Sequence, residues 1–339
     1  MKVYQRNIIF SKIQLTGFYK YKDIFQIFPA DFKGMPESPF QKDYPNIIEY
    51  WYDDKKMIPR ESEYESLKKL FSETATTITQ LEKVLSLLNA FSNNLFFRYE
   101  NIQGIWATPI LFHKETGEVS EEVNYSSSQW CSPSFHFPTL PSQFQITDFT
   151  PLQLPQIKRM GHLQFYTRFP NLDQELDKEI VFSDKLDEIL DAYFSFDQKT
   201  KDILDSAVGH TNSAIELIFK KRTLALLAAF TALETLIDLE FRNMETELCE
   251  QCGQLKFSVS RKFREFLLKY IGDSSHNKKK FNSYYKLRSK IVHTGVRLKS
   301  EKLFSEFPKD ELDDEYVLRL EILQIGKLAL ANWLLLNRT

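Results

Sequence analysis

"LALLAAFTALETLIDL", Leu224 to Leu239, is the longest apolar stretch of the chain. It meets Glu234 after about ten uncharged residues, well short of the roughly twenty apolar positions a membrane span needs. The stretch therefore reads as a helix buried in protein, and the segments around it read as its neighbours. Upstream, "NLDQELDKEIVFSDKLDEILDAYF" opens a helix with Asn171 or Asp173 as the cap. A segment around Lys199 to Ala207 follows, then a long helix from Thr211 to about Asn243. Downstream, apolar periodicity predicts helices over Val259 to Ile271, Lys278 to Thr294 and Leu312 to Asn337. The carboxy-terminal half is expected to be an all-α bundle of five or six helices.

Residues up to about 170 read differently. The runs "VYQRNIIF", "KIQLTGFY", "NIIEYWY", "IQGIWATPILF" and "HLQFYTRF" are rich in β-branched and aromatic residues, which favour strands. One amphipathic helix interrupts them between Glu61 and about Phe97, where Leu67, Leu70, Phe71, Ile78, Leu81, Val84, Leu85 and Leu88 recur at three- and four-residue steps. Five prolines between Cys131 and Gln156 forbid regular helix and suit an extended connector, with structure resuming at about His162. The expected fold class is α+β: a strand-rich domain over residues 1–170, then a helical domain over 171–339.

At 339 residues, 42% hydrophobic and 27% charged, the composition is globular and leaves room for two domains. The apolar residues of "MKVYQRNIIFSKIQL" are interrupted by polar ones, so no secretory core is expected there. Three cysteines are too few and too uneven for a disulfide framework, which fits a reducing cytoplasm. The net charge of -2 conceals an uneven distribution. Between Lys256 and Lys302 fourteen Lys or Arg face three acids, whereas Asp173 to Asp205 carries eleven acids against four lysines. The basic density has two readings: a footprint for a phosphate backbone, or a solvated helix face balanced by the acidic segment after folding.

"YYKLRSKIVHTG", Tyr284 to Gly295, lies inside that basic stretch. Gly295 is suited to leave a helix in the left-handed conformation, which sets His293 in the last turn. There the carbonyl ends favour a protonated imidazole while Arg288 and Lys290 oppose it, a balance that suits acid-base work near neutrality. Arg288 and His293 stand five residues apart, however, and so diverge by about 140° on a straight helix. A shared target requires the arginine to wrap around, the helix to unwind at Gly295, or a second copy to bring its own pair opposite.

The segment "YYKLRSKIVH" resembles the R-x4-6-H motif of the HEPN superfamily, and more closely its Apea-like branch. "RTLALLAAFTALETLIDLEFR" is similar to that branch's helix with an Ala-Leu-Glu core, and "FSVSRKFREFLL" to its following helix. The resemblance covers about residues 175–337. It implies a metal-independent endoribonuclease of anti-phage defence by abortive infection, with Arg288 and His293 as the catalytic pair. His293 would move the proton of a ribose 2'-hydroxyl or of the leaving oxygen, and Arg288 would hold the phosphate. Products would be a 2',3'-cyclic phosphate and a 5'-hydroxyl. Ser289 stands where relatives carry Asn or Asp, and Ser289, Lys290 and Glu234 are the auxiliary candidates. RNA, tRNA among the options, would be gripped by Lys278, Lys279, Lys280, Lys286 and Arg297. The resemblance also implies a homodimer, a phage-derived trigger and a regulatory role for the first domain. The alternative is a non-catalytic module that binds nucleotide, RNA or protein.

Glu234 lies among Ala232, Leu233, Leu236 and Ile237, where a carboxylate needs a partner or its proton. It either orients Arg288 or forms a structural ion pair with another cation. Cys249 and Cys252, in "LCEQCGQL", have the C-x-x-C-G form of half a structural zinc site; a redox pair or two incidental thiols are the other readings. No cofactor is expected for catalysis. The phosphate-binding, dinucleotide and serine-hydrolase signatures do not occur in the sequence.

Overall fold

The computed structural model describes residues 2–30, 44–53, 79–98, 145–168, 179–244, 259–302 and 309–338. The chain separates into two compact units whose segments alternate along the sequence. The first takes residues 1–85, 96–158 and 173–180; the second takes 86–95, 159–172 and 181–339. The sequence alone places a single boundary, near residue 170.

The first unit is an antiparallel sheet. Strands β1 (Lys2–Ser11), β2 (Tyr19–Tyr21), β3 (Phe25–Pro29), β4 (Tyr44–Asp53) and β5 (Phe96–Phe97) take the order β2-β3-β4-β1-β5, and β6 (Gln145–Ile146) also pairs with β1. β1 and β4 are the two long runs expected as strands, and their register sets Ile8 opposite Ile47 and Arg6 opposite Glu49. Glu49 is fully buried. It survives there because Arg6, the Gln26 amide and both the backbone N–H and hydroxyl of Thr150 donate to its carboxylate at 2.6–2.8 Å.

Two expected strands take other forms. "KIQLTGFY" is loop until Phe18, because its backbone bonds a distant segment: Phe18 N–H donates to the Pro155 carbonyl and Ile157 N–H to that of Phe18, each at 2.9 Å. Gly17 permits the approach, since a Cβ there would stand 2.7 Å from the Pro155 carbonyl oxygen. "HLQFYTRF" forms a short helix, α2 (His162–Thr167), with the adjacent Phe165 and Tyr166 both buried. Regular structure also resumes before His162, in β6 and in β7 (Arg159–Met160), which pairs in parallel with β8 (Phe182–Ser183). "IQGIWATPILF" lies outside the described residues.

The amino-terminal helix is described over residues 79–91 (α1), where Leu81, Leu85 and Leu88 are buried as their spacing predicts. In the second unit α2 is joined by α3 (Leu186–Ser195), α4 (Gln198–Leu217), α5 (Arg222–Glu240), α6 (Val259–Ile271), α7 (Ser275–Thr294) and α8 (Lys309–Asn337). α3 starts later than expected because residues 179–185 turn and pair as β8; the caps proposed at Asn171 and Asp173 lie outside the described residues. The long helix expected from Thr211 is two helices. α4 runs through Thr211, capped by Asp197 accepting from Thr200 N–H at 2.8 Å, and the chain turns at Ile218–Lys221 before α5. Ser274 caps α7 by accepting from Asn277 N–H at 3.0 Å, so α7 begins three residues before Lys278.

α5 packs against α4 and α8, burying Leu226, Phe230, Leu233, Leu236 and Ile237 to within a few per cent. Each such side chain contributes about 1.5–3 kcal/mol relative to exposure. α8 also buries Lys327 completely; its ammonium donates to the Ser92 carbonyl, just past the end of α1. Burial lowers the Lys327 pKa from 10.5 to about 7. Between those values the unfolded chain binds a proton that the folded one lacks, so stability falls as pH drops through that range. Thermal midpoints followed by circular dichroism should therefore rise from pH 7.5 to 9.5, and Lys327→Met should flatten that slope. Equal slopes in the two proteins would show that Lys327 remains charged in the fold.

Candidate active site

α5 and α7 run antiparallel. Near one end the Leu298 N–H donates to Thr223 Oγ1 at 3.0 Å, and further along Glu234 meets Arg288. Arg288 Nη2 donates to Glu234 Oε2 at 2.7 Å, and Nε lies 2.6 Å from Oε1. The second contact is a close charge attraction without hydrogen-bond alignment, so Oε1 is buried and lacks a donor. The two side chains are 21% and 23% exposed, which makes this a half-shielded pair rather than a surface one. Of the two roles open to Glu234, the geometry supplies a specific partner, and it is the arginine of the R-x4-H motif.

The helical repeat explains why Arg288 points inward. Phe281, Tyr284, Arg288 and Ile291 succeed one another at three- and four-residue steps, and the other three are buried. Arg288 occupies an apolar-face position and is satisfied only through Glu234. His293 lies about 140° round the helix from Arg288 and is exposed in the last turn, with no hydrogen-bond partner among the described residues. Gly295 then leaves the helix at φ 64°, its N–H donating to the Ile291 carbonyl at 3.0 Å, as the glycine predicts. Helical geometry thus places the Arg288 and His293 side chains on different faces of α7 within one chain.

The expected RNA-binding cations divide in the same way. Lys279, Lys286 and His293 are seven residues apart and fall within roughly 20° of one another per step, with Lys290 beside them. All four are exposed and form one stripe. Arg297 is exposed just beyond the helix end. Lys278 instead pairs with Asp273 at 2.8 Å. Lys280 pairs with Glu321, which also accepts from the Tyr284 hydroxyl. Lys280 and Glu321 line a cavity of about 250 Å³ together with Asn277, Phe281 and Gln324. Burial and Glu321 raise the Tyr284 hydroxyl pKa well above its ordinary value, so it stays a donor. Ser289 is half-buried one position after Arg288.

Sequence reasoning missed Glu321. Its signal was a set of polar residues, Arg319, Glu321, Gln324 and Lys327, interrupting the otherwise apolar run of α8. Cys249 and Cys252 lie outside the described residues, and so does Cys131. Among the described residues no group of three His, Cys, Asp or Glu is placed to hold a metal, and no helix is long and apolar enough to cross a membrane. Comparison with protein-family models, curated proteins and solved structures finds no match to this chain.

If Glu234 and Arg288 satisfy each other, Glu234→Ala and Arg288→Ala should each lower unfolding free energy by about 1–2 kcal/mol. The double variant should lose little more than the worse single one. Simple additivity in denaturant melts would show that the two do not interact. Gly295→Ala should cost about 1 kcal/mol in the same assay, because alanine is strained at positive φ.

Proposed function

We propose that this chain is a HEPN-type, metal-independent endoribonuclease whose cutting centre is completed by a second copy. The observation that supports it most is the Glu234–Arg288 pair. The sequence carries the resemblance in two separate places, the Ala-Leu-Glu core and the R-x4-H segment, and their charged residues meet across α5 and α7.

The pair also suits the chemistry. Glu234 accepts from Nη2 of Arg288 and lies close to Nε, which restrains the guanidinium, while Nη1 has no partner among the described residues and can donate to a phosphate oxygen. His293, at the outward end of the lysine stripe, has an imidazole accessible to an RNA strand following that stripe. In the reaction His293 accepts the 2'-hydroxyl proton, the 2'-oxygen attacks phosphorus, and the bond from phosphorus to the 5'-oxygen breaks as that oxygen takes a proton from water. The charge that builds on the non-bridging oxygens is met by Arg288. Since Arg288 and His293 of one chain face apart, the arginine that meets a given phosphate comes from the opposing copy. Cleavage of cellular RNA would halt translation in an infected cell, as the resemblance implies, with the first unit regulating it.

A second reading has one specific observation in its favour. The Lys279–Lys286–Lys290–His293 stripe is continuous without Arg288, so it can bind a phosphate backbone without cutting it. An RNA-cleavage assay in the presence of chelator separates the two. The enzyme reading expects cleavage by the wild type, a loss of about a hundredfold or more in Arg288→Ala and His293→Ala, and RNA binding that persists in His293→Ala. RNA bound by the wild type and left intact, with every RNA tested, would leave the binding module as the correct reading.

A further inference from the structure

Where α5 begins, three buried polar atoms lack partners among the described residues. Arg319 on α8 is 5% exposed, and neither its Nε nor its Nη1 has a hydrogen-bond acceptor among the described residues. The Ser300 hydroxyl, in the short 3-10 turn Lys299–Glu301, is likewise buried without a partner. Arg222, the first residue of α5, adds a second guanidinium near enough to Arg319 to repel it, and its own Nη1 donates to the Ser300 carbonyl at 3.0 Å.

Two carboxylates are also near, but both are engaged elsewhere. Glu301 accepts from the Thr223 N–H at 3.0 Å, capping α5. Glu315 accepts from the Lys299 and Ser300 N–H groups at 2.6 and 3.0 Å. They moderate the charge of Arg319 without supplying acceptors to its free N–H groups. Arg297 faces Glu301 from the same strap of chain. A buried guanidinium cannot shed its proton, so its open N–H groups call for an acceptor that the described residues do not supply. Nε and Nη1 of one arginine, a hydroxyl and a neighbouring arginine are donors of the kind that receive a tetrahedral oxyanion.

We propose that Arg319, Arg222 and Ser300 form a binding site for a phosphoryl group. The site is separate from Arg288 and His293 and does not rest on the nuclease reading. Two sources share this chemistry, free phosphate and the terminal phosphate of an oligonucleotide.

The test is calorimetric titration of the full chain with inorganic phosphate at constant ionic strength. Saturable binding is expected in the wild type and in His293→Ala, weakened about tenfold or more in Arg319→Met. Because Arg319→Met removes a buried residue, Ser300→Ala and Arg222→Gln, at half-buried positions, serve as second variants, and each is expected to weaken binding severalfold. Absence of saturable phosphate binding by the wild type overturns the proposal, as does affinity unchanged in all three variants. Short oligoribonucleotides with and without a 5'-phosphate then identify the source. Tighter binding of the phosphorylated one, lost in Arg319→Met, assigns a chain end; equal binding of the two assigns free phosphate.

Discussion

A single charge pair organises the part of this protein where its chemistry is sought. α5 is apolar along nearly its whole length, and Glu234 is the one acid in its middle. A carboxylate there must be paired, and Arg288 pairs it from the inward face of α7. The pair does more than neutralise charge. With Arg288 turned inward, the helical repeat carries Lys279, Lys286, Lys290 and His293 outward on a common stripe. Just past the end of α7, the Leu298 N–H ties the chain to Thr223 at the start of α5. One electrostatic requirement therefore decides both what is buried and what is offered to a partner.

The same economy recurs on α8. Glu321 gathers Lys280 and Tyr284, Gln324 donates to Asn93 and to the Arg168 carbonyl, and Lys327 closes the end of α1. These polar groups bind helices together through side-chain bonds that an apolar residue could not make. Arg319 stands apart from that pattern, since its neighbours supply charge but not acceptors. Two open guanidinium nitrogens on Arg319, close to the open Ser300 hydroxyl, are what single out that corner.

Much of the helical unit was legible in the sequence. The α6 span, the left-handed glycine after α7 and the burial of the Leu224 run all follow from periodicity and one conformational rule. The break between α4 and α5 was not legible, because Ile218–Lys221 contains neither glycine nor proline to mark the turn. The aromatic run at His162 misled for a related reason: β-propensity reports a fit to a half-buried pleated surface, and tertiary burial of Phe165 beside Tyr166 overrides it. At the site, the Arg288 and His293 spacing already showed that the two diverge. The identity of Glu234's partner was not legible, since nothing local distinguishes Arg288 from the other cations of a lysine-rich segment.

The central claim is that Arg288 and His293 act on one phosphate from two different copies. Mixing Arg288→Ala protein with His293→Ala protein, after subunit exchange, tests it most directly by the cleavage of RNA. Two chains that are inactive alone should regain activity together, because the mixed pair retains one intact arginine facing one intact histidine. A mixture as inactive as either component, under conditions where exchange is demonstrated, would contradict the account.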